Sequence, residues 1–410
     1  MSVSDAFANP EVIEQPYDYY DLLRRQEEIF YSDLLQAYFV TRQADAEQIM
    51  NNPHVFSSRP FASTHSMTMF MDRYHPIYER AGTHPPIETL VTTDGDVHRR
   101  YRSSVDKAFG PAAVRQLEPM IKQVIDELID QFIDLGQVDI YSEFCLKLPL
   151  IMMCLMVGLP KEDALFLKQS ADASVNLALA AFETEQRRIE LHEQQCRLHL
   201  YFQEYLDRYR TTPQDNLISK LIHLAPDGGM PFTDQELMSL LTVINVGGNE
   251  TTTNGLGSVL SLCFANTELQ EHLRAHPQDI AKFIEEALRF ESPVAAMPRW
   301  VKEDTVVGNT HLPAGSMVQI SFAAVNRDPD VFNCPAHFDI DRSCRHMAFG
   351  KGPHFCLGAR LARAELTIAL QCILERMGNI RIDNDNEPLA HEPKLIVRAL
   401  KKLPIAFTKL

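Results

Sequence analysis

A single cysteine stands in a glycine-rich loop that leads directly into a helical stretch. The loop runs from Phe349 to Gly358 and reads FGKGPHFCLG, and the pattern from Ala359 to Glu375 is helical. Unpaired backbone N–H groups and the positive end of a helix dipole favour a thiolate at such a place, and small flanking residues let a flat ligand approach the backbone. Cys356 is therefore predicted to be a metal ligand.

Two simpler interpretations of Cys356 compete with this one. A lone cysteine is often only a small buried hydrophobic residue. A zinc site is the other alternative, because four possible ligands fall within thirteen residues, namely Cys344, His346, His354 and Cys356. The spacing argues against zinc, since each close pair is separated by one residue only, whereas structural zinc ligands usually lie two to four residues apart.

A second pattern interrupts a long helical segment. The sequence Thr233–Glu236 is a capping box, and it begins a run of about thirty residues without proline. Gly247–Thr252, in the middle of this run, is poor helix material, because its two glycines alone cost about 2 kcal/mol. Missing side chains would let a planar group lie against the helix beside Glu250, and a threonine hydroxyl can open the local hydrogen-bond ladder. The alternative is a close helix crossing.

Both motifs resemble those of the cytochrome P450 superfamily, in its soluble bacterial form. The cysteine loop is similar to the family's haem-thiolate loop, F-x-x-G-x-H-x-C-x-G, and Gly247–Thr252 is similar to its oxygen-activation motif, A/G-G-x-D/E-T-T. The resemblance extends from Pro16 to Pro404. It implies a mainly α fold with small β-sheets, a single domain over residues 1–410, and a haem between the long central helix and the cysteine loop.

The resemblance also implies roles for individual residues. The axial ligand of haem b would be Cys356, and the catalytic pair for delivering protons to dioxygen would be Thr251 and Glu250. Further haem contacts are implied for Gly247, Phe349 and Gly358, and propionate contacts for His98, Arg102, Arg299 and His354. Charge-assisted bonds of the latter kind would fix the orientation of the cofactor as well as its affinity. A scaffold ion network is implied for Glu286, Arg289 and Arg342.

The chemistry that follows is that of a monooxygenase. An axial thiolate pushes electron density onto haem iron and favours O–O cleavage. By resemblance, the protein would take two electrons from a separate ferredoxin or flavodoxin type donor and hydroxylate a mostly hydrophobic small organic substrate. An oxidative coupling or ring-forming enzyme would share every motif. A peroxide-driven haem enzyme usually lacks the acid and the threonine, and a haem-based gas sensor would be expected to carry an output domain.

The substrate pocket is predicted by position. Its candidate residues, which are mostly apolar, are Phe61, Met69, Phe70, Val243, Gly247, Val294, Met297 and Ile396. The segment Phe61–Glu88 contains three prolines and is predicted to be a loop that acts as a lid and orders on binding.

Composition narrows the partners and the location. A net charge of −16 argues against nucleic acid, because phosphate binding needs a concentrated basic surface. Two local basic clusters could still attract a small acidic redox partner, and they consist of Arg99, Arg100, Arg102 and Lys107, and of Lys351, Arg360 and Arg363. The eight scattered cysteines are expected to be reduced. No signal sequence is apparent and the apolar run Leu148–Pro160 is too short to cross a bilayer, so a cytoplasmic protein without membrane association is expected.

Overall fold

Long amphipathic runs of the sequence fold as helices, and the β signal is confined to short strands. The computed structural model describes residues 5–26, 28–59, 65–178, 183–224, 230–343, 345–384 and 387–410, with the backbone alone at 65–72 and 178. In these residues the architecture is mainly α with small sheets, which confirms the predicted fold class.

The helices of the described residues vary from one turn to more than eight. In chain order they are α1 (Pro10–Glu14), α2 (Tyr17–Gln26), α3 (Gln43–Met50), α4 (His65–Ala81), α5 (Gly95–Asp106), α6 (Pro111–Asp130), α7 (Lys147–Val157), α8 (Ala164–Ala178), α9 (Glu185–Thr211), α10 (Leu217–Ile222), α11 (Asp234–Phe264), α12 (Thr267–Ala275), α13 (Ile280–Phe290), α14 (Phe322–Val325) and α15 (Ala359–Arg376). None of them combines the length and the apolar character that a bilayer crossing requires.

The strands are short. They are β1 (Ile29–Ser32), β2 (Ala37–Val40), β3 (Phe56–Ser57), β4 (Gln137–Asp139), β5 (Ala296–Val301), β6 (Thr305–Val307), β7 (Thr310–Leu312), β8 (Met317–Ser321), β9 (Met377–Ile382) and β10 (Pro404–Lys409). They form a five-stranded sheet in the order β1-β2-β8-β5-β3, a three-stranded sheet β4-β10-β9 and the hairpin β6-β7. Strand β8 runs parallel to β2 and antiparallel to β5, where Val318 lies opposite Arg299.

The chain divides into two compact units. The first consists of Met1–Pro60, Val114–Leu148 and Thr251–Leu410, and the second of Phe61–Ala113 and Pro149–Glu250. The large sheet of the first unit is packed by apolar side chains that include Phe56, Val318 and Ile320. The predicted organisation as a single domain stays a prediction.

The helix α11 has the predicted beginning and length. It extends over 31 residues, and the capping box is formed: the backbone N–H of Glu236 donates to the Thr233 hydroxyl at 3.2 Å, and the Glu236 carboxylate accepts from the Thr233 N–H at 2.8 Å. Two orphan backbone donors at the helix start are satisfied reciprocally in this way. The helix then continues without interruption through Gly247 and Gly248.

The prediction of a loop over Phe61–Glu88 is wrong for most of that segment. Residues 65–81 form α4, and Pro76 lies inside the helix. A proline in that position removes one backbone hydrogen bond. The loss is offset by packing within the second unit, because Tyr78 is fully buried and its hydroxyl is hydrogen-bonded to Nδ1 of His192 on α9 at 2.8 Å, while Tyr74 stacks on the same imidazole at 4.3 Å between ring centroids.

Candidate functional site

The cysteine loop is shaped by backbone hydrogen bonds and by two glycines. The backbone N–H of Cys356 donates to the Phe349 carbonyl at 2.9 Å, which closes the loop. Gly350 and Gly352 have φ angles of 70° and 71°, a region that side chains disfavour. A Cβ atom at Gly352 would also lie 2.4 Å from the carbonyl oxygen of Met50, so this position admits glycine alone.

Cys356 lies exposed at the entrance of α15. The helix begins at Ala359 with Gly358 as its N-cap, and a Cβ atom on Gly358 would meet no heavy atom of the described residues within 4 Å. The loop thus presents the thiol at a helix N-terminus beside open space. This is the arrangement expected for a thiolate that binds a metal within a flat ligand.

The zinc alternative is not supported by the histidine beside the loop. In His346, Nε2 lies 3.2 Å from the Glu285 carboxylate and Nδ1 accepts from the backbone N–H of Ala348 at 3.1 Å, so both ring nitrogens already have partners. Cys344 lies outside the described residues. Within the residues that are described, no three histidine, cysteine or acidic side chains are grouped so that they could hold a metal ion by themselves.

An ion pair anchors α15 and the loop to α13. Arg363 donates to both oxygens of Glu285, at 2.6 and 2.8 Å, and its guanidinium lies 4.3 Å above the centroid of the Phe349 ring. Burial raises the pKa of Glu285, but the hydrogen bonds from Arg363 and His346 outweigh it and lower the pKa to about 2. A charged Glu285 therefore fixes one side of the loop through Arg363 and the other through His346.

The remaining haem-binding candidates occur in both units. In the first unit, Arg299 is a buried cation on β5 whose Nη1 donates to the Pro298 carbonyl at 2.7 Å, and His354 is half-buried in the cysteine loop. In the second unit, His98 is buried on α5, and Arg102 on the same helix donates to Asp106 at 2.6 Å. Within the first unit, the thiol of Cys356, the buried Arg299, the half-buried His354 and the open face of Gly358 form a donor set whose chemistry fits a haem and its carboxylates.

The two glycines of α11 differ in what surrounds them. A Cβ atom on Gly248 would lie 2.2 Å from Cε of Met153, so Gly248 accommodates a close side-chain contact, as the packing alternative requires. A Cβ atom on Gly247 would meet nothing within 4 Å among the described residues. Gly247 is exposed, and Glu250 and Thr251, which follow in the next turn, are half-buried. Gly247 is thus an open position on α11.

Glu286, Arg289 and Arg342 come together in the first unit. Arg289 donates to both Glu286 oxygens at 2.7 Å, and Nε of Arg342 donates to one of them at 3.2 Å. Glu286 and Arg289 are almost wholly buried, and Arg289 also donates to the carbonyls of Asn326, Pro335 and His337. A fully paired cluster of this kind fixes the loop that precedes the cysteine loop to α13.

The candidate pocket residues are placed unevenly. Val294 forms a β-bridge with Val397, and the backbone N–H of Ala295 donates to the Ile396 carbonyl at 2.9 Å, which brings Val294 close to Ile396. Met297 and Ile396 are 38% and 40% exposed, so they form part of an apolar surface of the first unit. Val243 is half-buried on α11. Phe61 lies outside the described residues, and for Met69 and Phe70 only the helical backbone of α4 is described.

Most cations of the two basic clusters are paired with acids. Arg99 pairs with Asp96, Arg100 with Glu236, Arg102 with Asp106, Lys351 with Glu47 and Arg363 with Glu285. Paired charges produce a weaker long-range field than the sequence suggests. One residue that the sequence reasoning missed is Glu285, which connects the cysteine loop and α15 to α13. Its signal was its position beside Glu286.

Comparisons with known proteins identify the family of this chain. Residues 280–405 match the family model described as Cytochrome P450. The chain is 32% identical over 399 residues to the protein named Cytochrome P450 109 from Bacillus spizizenii, which covers 96% of this chain and 92% of that protein. Two solved structures are also similar. P450BioI in complex with hexadec-9Z-enoic acid ligated acyl carrier protein has a TM-score of 0.86 at 26% identity, covering 98% of this chain and 100% of that one. CYP109E1 from Bacillus megaterium in complex with testosterone has a TM-score of 0.82 at 28% identity, covering 96% of this chain and 99% of that one.

The exposed cysteine at the start of α15, the open position at Gly247 on α11 and these relatives lead to one assignment. The chain belongs to the cytochrome P450 family of haem-thiolate monooxygenases.

Proposed function

We propose that this protein hydroxylates a mostly hydrophobic small organic molecule, with dioxygen and with two electrons from a separate donor. The observation that carries the proposal is the exposed thiol of Cys356, which lies before the first turn of α15 in a loop closed by the Cys356 N–H to Phe349 hydrogen bond. A helix N-terminus favours the ionised thiolate, which is the form that binds iron.

The cofactor proposed is haem b with Cys356 as the axial ligand. Arg299 and His354 in the first unit, and His98 and Arg102 in the second, are the proposed propionate ligands. Phe349, Gly358 and Gly247 are the proposed contacts of the ring. When bound, the haem supplies electron acceptance and dioxygen activation. The protein side chains would orient the haem. The charged Glu285 would stabilise the cysteine loop through its contacts with Arg363 and His346.

Thr251 and Glu250 are proposed to deliver protons. Both are half-buried in the turn of α11 that follows the open position at Gly247. A hydroxyl can accept and donate a proton at the same oxygen atom, and a carboxylate can take up a new proton from solvent after each transfer. Thr251 would therefore transfer protons that Glu250 collects, without opening the site to bulk water.

The proposed substrate class rests on apolar side chains and on relatives. Val294, Met297 and Ile396 present an apolar surface that a hydrophobic molecule would cover. Two similar structures are complexes that contain testosterone and a hexadecenoic acid carried by acyl carrier protein, and both molecules are hydrophobic. An oxidative coupling or ring-forming reaction is the alternative, and incorporation of ¹⁸O from labelled dioxygen into the product distinguishes hydroxylation from it.

The electron donor is proposed to be a separate ferredoxin or flavodoxin type protein. Because most cations near the cysteine loop are paired, we expect binding of this donor to depend only moderately on salt. A cytoplasmic location belongs to the same proposal, as does the absence of nucleic-acid and membrane partners. Buried cysteines support the location, since Cys145, Cys154, Cys196, Cys263 and Cys372 form no disulfide bond.

The first experiment is the carbon monoxide difference spectrum of the dithionite-reduced protein. The strongly red-shifted Soret band of a thiolate-ligated haem is expected in the wild type and should be absent in Cys356→His. Cys334→His is the matched control, because Cys334 is also an exposed cysteine. A histidine-like band in folded wild-type protein, or the loss of the red-shifted band in the control as well, would contradict the assignment.

The substrate class is tested next with a panel of hydrophobic compounds. Testosterone and hexadec-9Z-enoic acid are suitable members, with glucose and benzoate as polar controls. A low-to-high-spin shift of the ferric haem is expected with hydrophobic compounds and not with the polar controls. The reverse selectivity would refute the proposed substrate class while leaving the haem assignment intact.

A further inference from the structure

Asn254 lies on the same stripe of α11 as the proposed proton-delivery residue. Residue positions on a helix advance by about 100° each, so Gly247, Thr251 and Asn254 fall within an arc of about 60°. Gly247 is exposed, Thr251 is half-buried and Asn254 is 1% exposed. The stripe thus runs from an open position to a fully buried amide one turn beyond Thr251.

One end of this amide is held by a tyrosine. The Tyr141 hydroxyl donates to Oδ1 of Asn254 at 2.9 Å. Tyr141 begins the π-helical turn Tyr141–Cys145, and a Cβ atom on Gly257 would lie 2.9 Å from Cε2 of its ring. The ring is thus packed tightly against α11, on the turn that contains Gly257. The orientation of the Asn254 side chain is fixed from that side.

The other end of the amide is buried and unpaired. Nδ2 of Asn254 makes no hydrogen bond to any residue that the structure describes. Exchanging the two ends of the amide would leave Oδ1 in the same condition, because Tyr141 contacts only one end. Buried polar groups are nearly always paired, so an unpaired one indicates an absent partner. Asn245, on the opposite face of the same helix, has the reverse pattern: its Nδ2 donates to the Leu167 carbonyl at 3.0 Å, and its Oδ1 accepts no hydrogen bond from the described residues.

We propose that Asn254 is a positioning residue whose Nδ2 holds a water molecule beside the Thr251 hydroxyl. Tyr141 orients the amide, and the amide donates a hydrogen bond without transferring a proton itself. The water then takes a fixed place in the transfer between Glu250 and Thr251. This inference rests on the proposed function and adds to it a residue that the sequence motif does not include. The competing role is structural: Asn254 would serve only to bind Tyr141.

The first test is a crystal structure of the haem-loaded protein at a resolution that shows ordered waters. An ordered water is expected within about 3.2 Å of both Nδ2 of Asn254 and the Thr251 hydroxyl oxygen. This readout requires no substrate. A structure in which Nδ2 is bonded to another protein group, or in which no water connects it with Thr251, would overturn the proposal.

The second test compares three variants. Asn254→Leu keeps the volume and removes the amide, and Tyr141→Phe keeps the packed ring and removes only the hydroxyl that orients the amide. Asn245→Leu is the matched control, because Asn245 is equally buried and lies at about 180° from Asn254 on the same helix. Product formed per NADPH is measured with a ferredoxin and its reductase, using the panel compound that gives the largest spin shift.

Coupling of NADPH use to product should fall about tenfold in Asn254→Leu and about threefold in Tyr141→Phe. Asn245→Leu should stay within about twofold of the wild type, as should the spin-shift Kd of all three variants. The solvent deuterium isotope effect on product formation should rise in Asn254→Leu alone. Equal losses of coupling in Asn254→Leu and Asn245→Leu would overturn the proposal, as would wild-type coupling in Asn254→Leu. If Asn254→Leu does not fold, unchanged coupling in Tyr141→Phe would also overturn the proposal.

Failure of the proposed function would look different. In that case the wild type itself would lack the thiolate carbon monoxide band, or would show no spin shift with any panel compound. If Thr251→Ala is uncoupled and Asn254→Leu is coupled normally, the proton-delivery role of Thr251 stands and only the role of Asn254 falls.

Discussion

The stability difference between Glu365→Gln and the wild type should shift in favour of the variant as the pH rises from 5 to 9. Glu365 lies on α15 and is 3% exposed, and its Oε2 atom makes no hydrogen bond to the described residues. Burial disfavours the charged form and raises the pKa of this carboxyl to about 8. In the unfolded chain the carboxyl has its ordinary pKa of about 4.3. Folding therefore requires proton uptake between these two pKa values.

The magnitude follows from the linkage between proton binding and folding. Since the folded-state pKa is raised, the favourable contribution is complete below about pH 4 and is lost as the pH rises through about 8. Between pH 5 and pH 9 the wild type should lose about 4 kcal/mol of unfolding free energy relative to Glu365→Gln, which cannot titrate. The unfolding free energy of Glu365→Gln relative to that of the wild type should thus increase as the pH rises across this range.

The assay is urea-induced unfolding of both proteins at pH 5, 7 and 9. Other titrating groups are shared and cancel in the difference between the two proteins. Glu375→Gln is the control, because it makes the same substitution at an exposed position of the same helix. A constant difference between the wild type and Glu365→Gln from pH 5 to pH 9 would refute the reasoning.

Three further predictions concern the ligand loop and the second unit. Gly352→Ala should prevent the cysteine loop from closing, because the added Cβ would meet the Met50 carbonyl. The red-shifted carbon monoxide band should then fall at least tenfold. Gly82→Ala, in which the added Cβ would meet no heavy atom of the described residues within 4 Å, should retain the band. Arg363→Gln should destabilise the protein by about 1 to 2 kcal/mol at pH 7 in urea titrations, with the difference from wild type shrinking as the pH falls from about 4.5 towards 2, where Glu285 becomes protonated in both. Burial lowers the pKa of His199 to about 4, so the folded protein resists protonation of this side chain and loses stability as the pH falls from about 6.5 to 4. Between pH 7.5 and pH 5, the unfolding free energy measured in urea should therefore fall by about 2 kcal/mol less in His199→Gln than in the wild type.

The local part of the fold and of the site was predictable from sequence. The capping box at Thr233 and Glu236 involves residues three positions apart, so it is written in adjacent sequence and forms as predicted. The cysteine loop is equally local, since the hydrogen bond from Cys356 returns to Phe349 within the same motif. Patterns of this kind depend on backbone geometry over one or two turns, which residue types largely determine.

The part that could not be predicted depends on residues far apart in the chain. Three prolines favoured a loop before Glu88, but tertiary packing of Tyr78 on His192 maintains a helix there, 114 positions away in sequence. The pairing of Lys351 with Glu47 likewise could not be read from the basic cluster alone. Propensity is a weak prior wherever a buried contact from another segment contributes more than about 1 kcal/mol.

The three buried or partly buried acids of α13 and α15 show why the partner, and not burial, decides what a carboxylate does here. Glu285 and Glu286 are neighbours, and each accepts two hydrogen bonds from one arginine, so the two acids connect the ligand loop and the loop before it to α13. Glu365 is buried to a similar degree as Glu286, but no cation of the described residues offsets that burial, and its pKa rises to about 8. Adding a positive charge next to Glu365 should therefore lower its pKa, whereas removing Arg363 should raise that of Glu285. The anchoring of the cysteine loop therefore depends on arginines that can be replaced one at a time. The stability of this loop can thus be changed without replacing Cys356 itself.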